Sequence, residues 1–147
     1  MSVLILGYGN TLRSDDGLGV VAANLLAERL PEGNIKIITS QQLGPEMVED
    51  LRESHLAIFI DAGITNAPGE SSCTPLFPQT EVPTGVSHHF TPGTLLALCQ
   101  TFYGKAPEAY LYSVGAASFD LGEALTPTVQ AAIPGLIDAV IERIQKS

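Results

Sequence analysis

The sequence predicts an α/β protein in three α/β/α layers, with a mostly parallel, twisted sheet flanked by helices. Three observations predict it. Short apolar or mainly apolar runs recur along the chain, the length expected of buried strands. Between them lie stretches with apolar residues at helical spacing. The two alternate, which is the pattern of parallel strands joined by crossover helices. With 147 residues, 45% of them apolar and 16% charged, the chain is long enough to bury roughly two-thirds of its unfolded surface as one domain, 1–147.

Val3-Leu4-Ile5-Leu6 is the first expected strand, ended by Gly7. The loop from Gly7 to Gly17 leads into a helix on which Leu18, Val21, Ala22, Leu25 and Leu26 form the apolar stripe, stopped by Pro31-Glu32-Gly33. Ile35-Lys36-Ile37-Ile38 is the second strand. Gly44-Pro45 opens a short helix carrying Met47, Val48 and Leu51, with proline in the tolerated first turn. Leu56-Ala57-Ile58-Phe59-Ile60 is the third strand and runs into Asp61-Ala62-Gly63. Residues 64–91 hold four of the ten prolines and no long periodicity. They read as an excursion over the active face, with Cys73–Phe77 as a short edge strand. Thr91-Pro92 starts a helix with Leu95, Cys99 and Phe102 on one side. Tyr110-Leu111-Tyr112-Ser113-Val114 is the last strand. Thr126-Pro127 opens a long helix striped by Val129, Ile133, Leu136, Ile137, Val140 and Ile144. Pro134, inside that stripe, should kink the helix or mark where its regular part begins.

Charge excludes two classes of partner. Seven scattered Lys and Arg face sixteen Asp and Glu, a net charge of −9. Nucleic acid needs clustered cations to displace counterions, and an anionic membrane surface would repel this chain. No apolar run reaches the roughly 20 residues of a membrane span, and no basic n-region precedes the first strand. Two cysteines, Cys73 and Cys99, make neither a disulfide framework nor a zinc ribbon. The expectation is a cytoplasmic protein.

Ligands of open α/β sheets bind beyond the carboxyl ends of the strands, where strand order reverses. Gly7 and Gly9 suggest a dinucleotide loop, but the third glycine position holds Leu12. Asp15 and Asp16 would also repel a phosphate at the helix start. One acid there serves as a helix cap, and Asp15 is taken for that role. The second gains nothing from capping, so Asp16 is a functional candidate. Asp61, at the end of a buried strand and before small residues, is a stronger one. His88 and His89 form a doublet ahead of a helix start, whereas His55 falls at the amino end of the sheet as a surface residue. Two carboxylates and an imidazole suit a hard-to-borderline divalent ion with coordination positions left open. Ser14, Ser87 and Ser113 lack the Gly-x-Ser-x-Gly elbow of serine hydrolases. Cys73, in a polar loop, and Cys99, on an apolar stripe, carry no activating surroundings.

The run from Leu4 to Gly19, with Gly7-Tyr8-Gly9-Asn10-Thr11-Leu12-Arg13-Ser14-Asp15-Asp16-Gly17 at its centre, resembles the opening motif of the hydrogenase maturation proteases. Ile60-Asp61-Ala62 looks like their second motif, and Ser87-His88-His89-Phe90-Thr91-Pro92-Gly93 like their third. The tail, Ser113-Val114-Gly115 and Leu125-Thr126-Pro127, is similar as well. The resemblance implies an endopeptidase that removes the C-terminal extension of a nickel–iron hydrogenase large-subunit precursor after nickel insertion. It implies no permanently bound cofactor, the precursor's nickel serving as the recognition feature. The family's metal-contacting and catalytic side chains fall on Asp16, Asp61 and His88, with His89 as the alternative histidine. Asp16 stands where the family often has glutamate. The competing reading is a nickel carrier that assists hydrogenase assembly without cutting.

Overall fold

The computed structural model describes residues 2–31, 33–79 and 90–147. The strands are β1 (Val3–Tyr8), β2 (Ile35–Ser40), β3 (Leu56–Pro68), β4 (Ser71–Leu76) and β5 (Glu108–Gly115). The helices are α1 (Leu18–Arg29), α2 (Val48–Arg52), α3 (Pro92–Tyr103) and α4 (Pro127–Lys146). The five strands form one sheet in the order β2-β1-β3-β5-β4. All neighbours are parallel except β4, which runs antiparallel along β5.

Successive side chains of a strand point to opposite faces, and here both faces are covered. Val3 and Ile5 of β1 join Leu18, Ala22 and Leu26 of α1 and Val129, Leu136 and Val140 of α4. Leu4 and Leu6 join Leu51 of α2 and Leu95, Leu96 and Cys99 of α3 on the other face. A strand buried on both sides has no polar face to show. That is the physical source of the continuous apolar runs in the sequence, and the expected three layers follow from it.

The structure corrects some helix details. Phe102 does not face inward with Leu95 and Cys99; it is 70% exposed. The buried stripe of α3 is centred between Leu95, Leu96 and Cys99, and at 100° per residue this puts Phe102 at its margin on the last turn. α4 runs as one helix through Pro134. Pro134 and Gln130 lie on its exposed side, so the Gln130 carbonyl deprived of its N–H partner faces solvent.

The expected edge strand is present as β4, Ser71–Leu76. β3 outruns the sheet before reaching it. Gly63 and Pro68 both pair with Gly115, so residues 64–67 bulge out, and the chain crosses over the carboxyl end of β5. The rest of the expected excursion, 80–89, lies outside the described residues. Strand order reverses between β1 and β3, since β2 lies on one side of β1 and β3 on the other. The carboxyl ends of β1 and β3 therefore flank the place where a ligand belongs.

Candidate active site

Asp61 stands at that place, where β3 runs past its last pairing with β1. Register puts it opposite Ser113 of β5, while Tyr8 ends β1 on its other side. The Ser113 hydroxyl donates to Asp61 Oδ1 at 2.6 Å. The Tyr8 hydroxyl donates to Oδ2 at 2.9 Å. With a donor on each oxygen the carboxylate is held in one orientation. Burial pushes the Asp61 pKa above the ordinary carboxylate value; the two hydroxyl hydrogen bonds oppose that shift, and the charge of Asp16 adds to it. Burial, and then the Asp61 charge, push the Tyr8 phenol well above its ordinary pKa, so it remains a donor at any physiological pH.

Asp16 approaches from the loop after β1. Residues Ser14–Gly17 form one 3-10 turn that leads into α1. Asp16 Oδ2 accepts the backbone N–H of Asn10 at 2.8 Å, and Asn10 Oδ1 accepts the N–H of Leu12 at 2.9 Å. The loop closes this tightly only because residue 9 is glycine: its φ is +143°, and a Cβ there would run into the Asp16 carbonyl oxygen. Gly19 does the same for the helix, since a Cβ there would strike the carbonyl oxygens of Ile60 and Tyr8. The start of α1 is thus seated on the ends of β1 and β3, which brings Asp16 close enough for its charge to act on Asp61.

Asp15 does not cap its own helix, contrary to the sequence expectation: neither the 3-10 turn nor α1 has a side-chain cap. It is fully buried and reaches across to the loop before α4. Oδ2 accepts the N–H groups of Ala117 at 2.8 Å and Ser118 at 3.0 Å, and Oδ1 accepts the N–H of Thr126 at 2.7 Å. The Thr126 hydroxyl adds a further bond at 2.9 Å. Burial alone would raise its pKa, but these donors outweigh burial and hold it below the usual carboxylate value.

Of the candidates, Asp16 and Asp61 come together, while His88 and His89 lie outside the described residues. Among the described residues no three His, Cys, Asp or Glu form a metal-holding group. His55 is at the amino end of the sheet, but it is half-buried rather than a surface residue. Its Nδ1 accepts the Ser2 N–H at 2.7 Å. Cys73 is exposed on β4 rather than in a loop, and Cys99 is buried in the core. The Ser113 hydroxyl is committed to Asp61 and that of Ser14 to the Asp120 carbonyl at 2.8 Å. Tyr8, Asn10 and Ser113 were missed as supporting residues. Their signal is register, Ser113 lying opposite Asp61, and register is readable only once the strand order is known. Two carboxylates, one half-buried with a raised pKa, suit either a divalent ion with open positions or proton transfer.

No protein-family model matches the chain. The hydrogenase 2 maturation protease of Escherichia coli K12 is 29% identical over 156 residues, spanning 100% of this chain and 93% of that protein. The structure of a hydrogenase maturating endopeptidase from E. coli superposes with a TM-score of 0.81 at 27% identity, covering 99% of this chain and 93% of that one. A nickel–iron hydrogenase maturation protease from Thermococcus kodakarensis superposes with a TM-score of 0.72 at 25% identity, covering 97% and 98%. The similarity runs the length of the chain in sequence and in fold, and the proteins it is similar to are hydrogenase maturation endopeptidases, hydrolases that cut peptide bonds.

Proposed function

We propose that the protein removes the C-terminal extension of a nickel–iron hydrogenase large-subunit precursor once nickel is in place, and that it does so in the cytoplasm. Asp16, Asp61 and His88 grip the precursor's nickel and set the scissile bond beside it, with His89 as the alternative to His88. The observation that carries this reading is the pair Asp16 and Asp61 at the switch point, in a chain similar over its whole length to a hydrogenase 2 maturation protease. A two-carboxylate set, completed by one histidine, leaves coordination positions open for a metal already held by another protein. The protein itself carries no permanent cofactor.

Cleavage is hydrolysis. Water adds to the scissile carbonyl, a carboxylate oxygen not engaged with the metal accepts its proton, and that proton leaves with the new amino terminus. Asp61, whose pKa burial raises, is the better base of the two. The substrate's nickel can share this work by polarising the water.

The test is intact mass of the precursor, nickel-loaded and nickel-free, after incubation with the protein. A shortened product only with nickel is expected. Asp61→Ala should abolish processing with the fold kept; normal processing by that variant would sink the reading. No cleavage in either state, with tight nickel binding by the isolated protein, would instead establish the carrier.

A further inference from the structure

Among the described residues Ser14 is the one non-glycine with a left-handed backbone, at φ +52°. A Cβ crowds the backbone in that conformation, so a serine adopts it at a cost and keeps it only where the surroundings over-determine it. Here they do. The Ser14 N–H donates to the Gly122 carbonyl at 2.7 Å, and its hydroxyl donates to the Asp120 carbonyl at 2.8 Å. Before it in the chain, the Leu12 carbonyl accepts the Gly122 N–H at 2.9 Å. After it, the Asp15 N–H donates to the Ser118 carbonyl at 3.2 Å, and the Asp15 carboxylate closes on Ala117, Ser118 and Thr126.

The loop that does this holding gives little to the core. Its residues 119–124 are exposed and belong to no strand or helix. Its backbone groups go instead to residues 12–15, the segment that runs directly into Asp16. Asp16 has little support of its own. Among the described residues its carboxylate takes one bond, from the Asn10 N–H at 2.8 Å, and its N–H donates to the Arg13 carbonyl at 3.2 Å. The reversal at Ser14 therefore decides where the next two acids go: Asp15 to the loop, Asp16 to the ends of β1 and β3. Glycine would follow the same path without the cost, but it could also leave that path, because it populates many conformations.

We propose that Ser14 is a positioning residue for the cleavage reaction, its left-handed backbone and its hydroxyl bond to Asp120 fixing Asp16 at the switch point. The inference rests on the reading of Asp16 as a working residue of the site. Ser14 touches no substrate; it acts through the turn. A working group misplaced by about 1 Å can lose up to about 100-fold in rate, so a looser turn is felt in catalysis before it is felt in folding.

Three variants separate positioning from stability. Ser14→Gly removes the hydroxyl bond and the left-handed cost together, so its melting temperature should stay close to wild type. Its kcat on the nickel-loaded precursor should nevertheless fall by about tenfold, with KM changed by less than about threefold. Ser14→Ala keeps the cost and loses the bond; it should melt below the glycine variant without cutting more slowly than it. Ser14→Asn tolerates the left-handed backbone and brings an amide donor for the Asp120 carbonyl, so kcat should return to within about twofold of wild type. Wild-type kcat in the glycine variant, a rise in KM in place of a fall in kcat, or a kcat that follows melting temperature across the three overturns the proposal. Each of these leaves the protease reading intact. Hydrogen exchange at the Asn10 amide, which is bonded to Asp16, needs no cleavage. It should quicken by about tenfold in Ser14→Gly and stay near wild type in Ser14→Asn, and an unchanged rate in the glycine variant also overturns the proposal. If exchange quickens as expected while even wild type cuts no precursor, the support of Asp16 by Ser14 stands and the endopeptidase reading fails.

Discussion

Asp15 and Asp16 are neighbours in sequence and opposites in environment. Asp15 is sealed against the loop before α4 by three backbone N–H groups and a hydroxyl, whereas Asp16 takes one N–H and stays half-exposed at the switch point. Replacing Asp15 by Asn removes a charge-assisted acceptor from donors that stay buried, which should destabilise the protein by about 2–4 kcal/mol in urea denaturation. The pH dependence has a definite sign. The folded pKa lies below the unfolded one, so the contribution is present above about pH 4 and disappears as pH falls through the lower folded value. The Asn variant should therefore lose less of its own stability than wild type on acidification below about pH 4. Tyr8 is a different case, because its ring packs beside the core while its hydroxyl orients Asp61. Tyr8→Phe keeps the packing and releases the carboxylate. Processing should fall by roughly 10–100-fold in kcat/KM, the usual effect of losing a partner that orients a ligand, with a melting temperature near wild type.

At the scale of elements, α1 is seated by Gly19, the close approach that carries Asp16 over the ends of β1 and β3. α3 begins with a reciprocal cap. Thr91 Oγ1 accepts the Thr94 N–H at 3.2 Å, and Thr94 Oγ1 accepts the Thr91 N–H at 2.8 Å, so the Thr-Pro start read from sequence has its physical cause in this pair. The second Thr-Pro start, at α4, has no such bond. The Thr126 hydroxyl is taken by Asp15 instead. α4 also carries Pro134 in its eighth position, exposed and without an N–H for the Gln130 carbonyl. Pro134→Ala restores that bond, and the gain exceeds the entropy that proline removes from the unfolded chain. The variant should be more stable by about 1–3 kcal/mol, read as a rise in melting temperature.

Over the whole molecule, two cores lie on opposite faces of one sheet, and the carboxylates sit where the strand order turns back. Among the described residues no helix is long and apolar enough to cross a membrane. The sequence by itself determined the fold class, the strand positions and the candidacy of Asp16 and Asp61. Each of these rests on local information: apolar runs, helical spacing, a doubled acid, and an acid at a strand end. Only the tertiary structure decided what Asp15 does, which face Phe102 takes, and that Tyr8 and Ser113 hold Asp61. Those contacts join residues 102 positions apart for Asp15 with Ala117, 53 for Tyr8 with Asp61 and 52 for Ser113 with Asp61. No local pattern encodes such a separation. It is set by the order β2-β1-β3-β5-β4, which no one segment spells out.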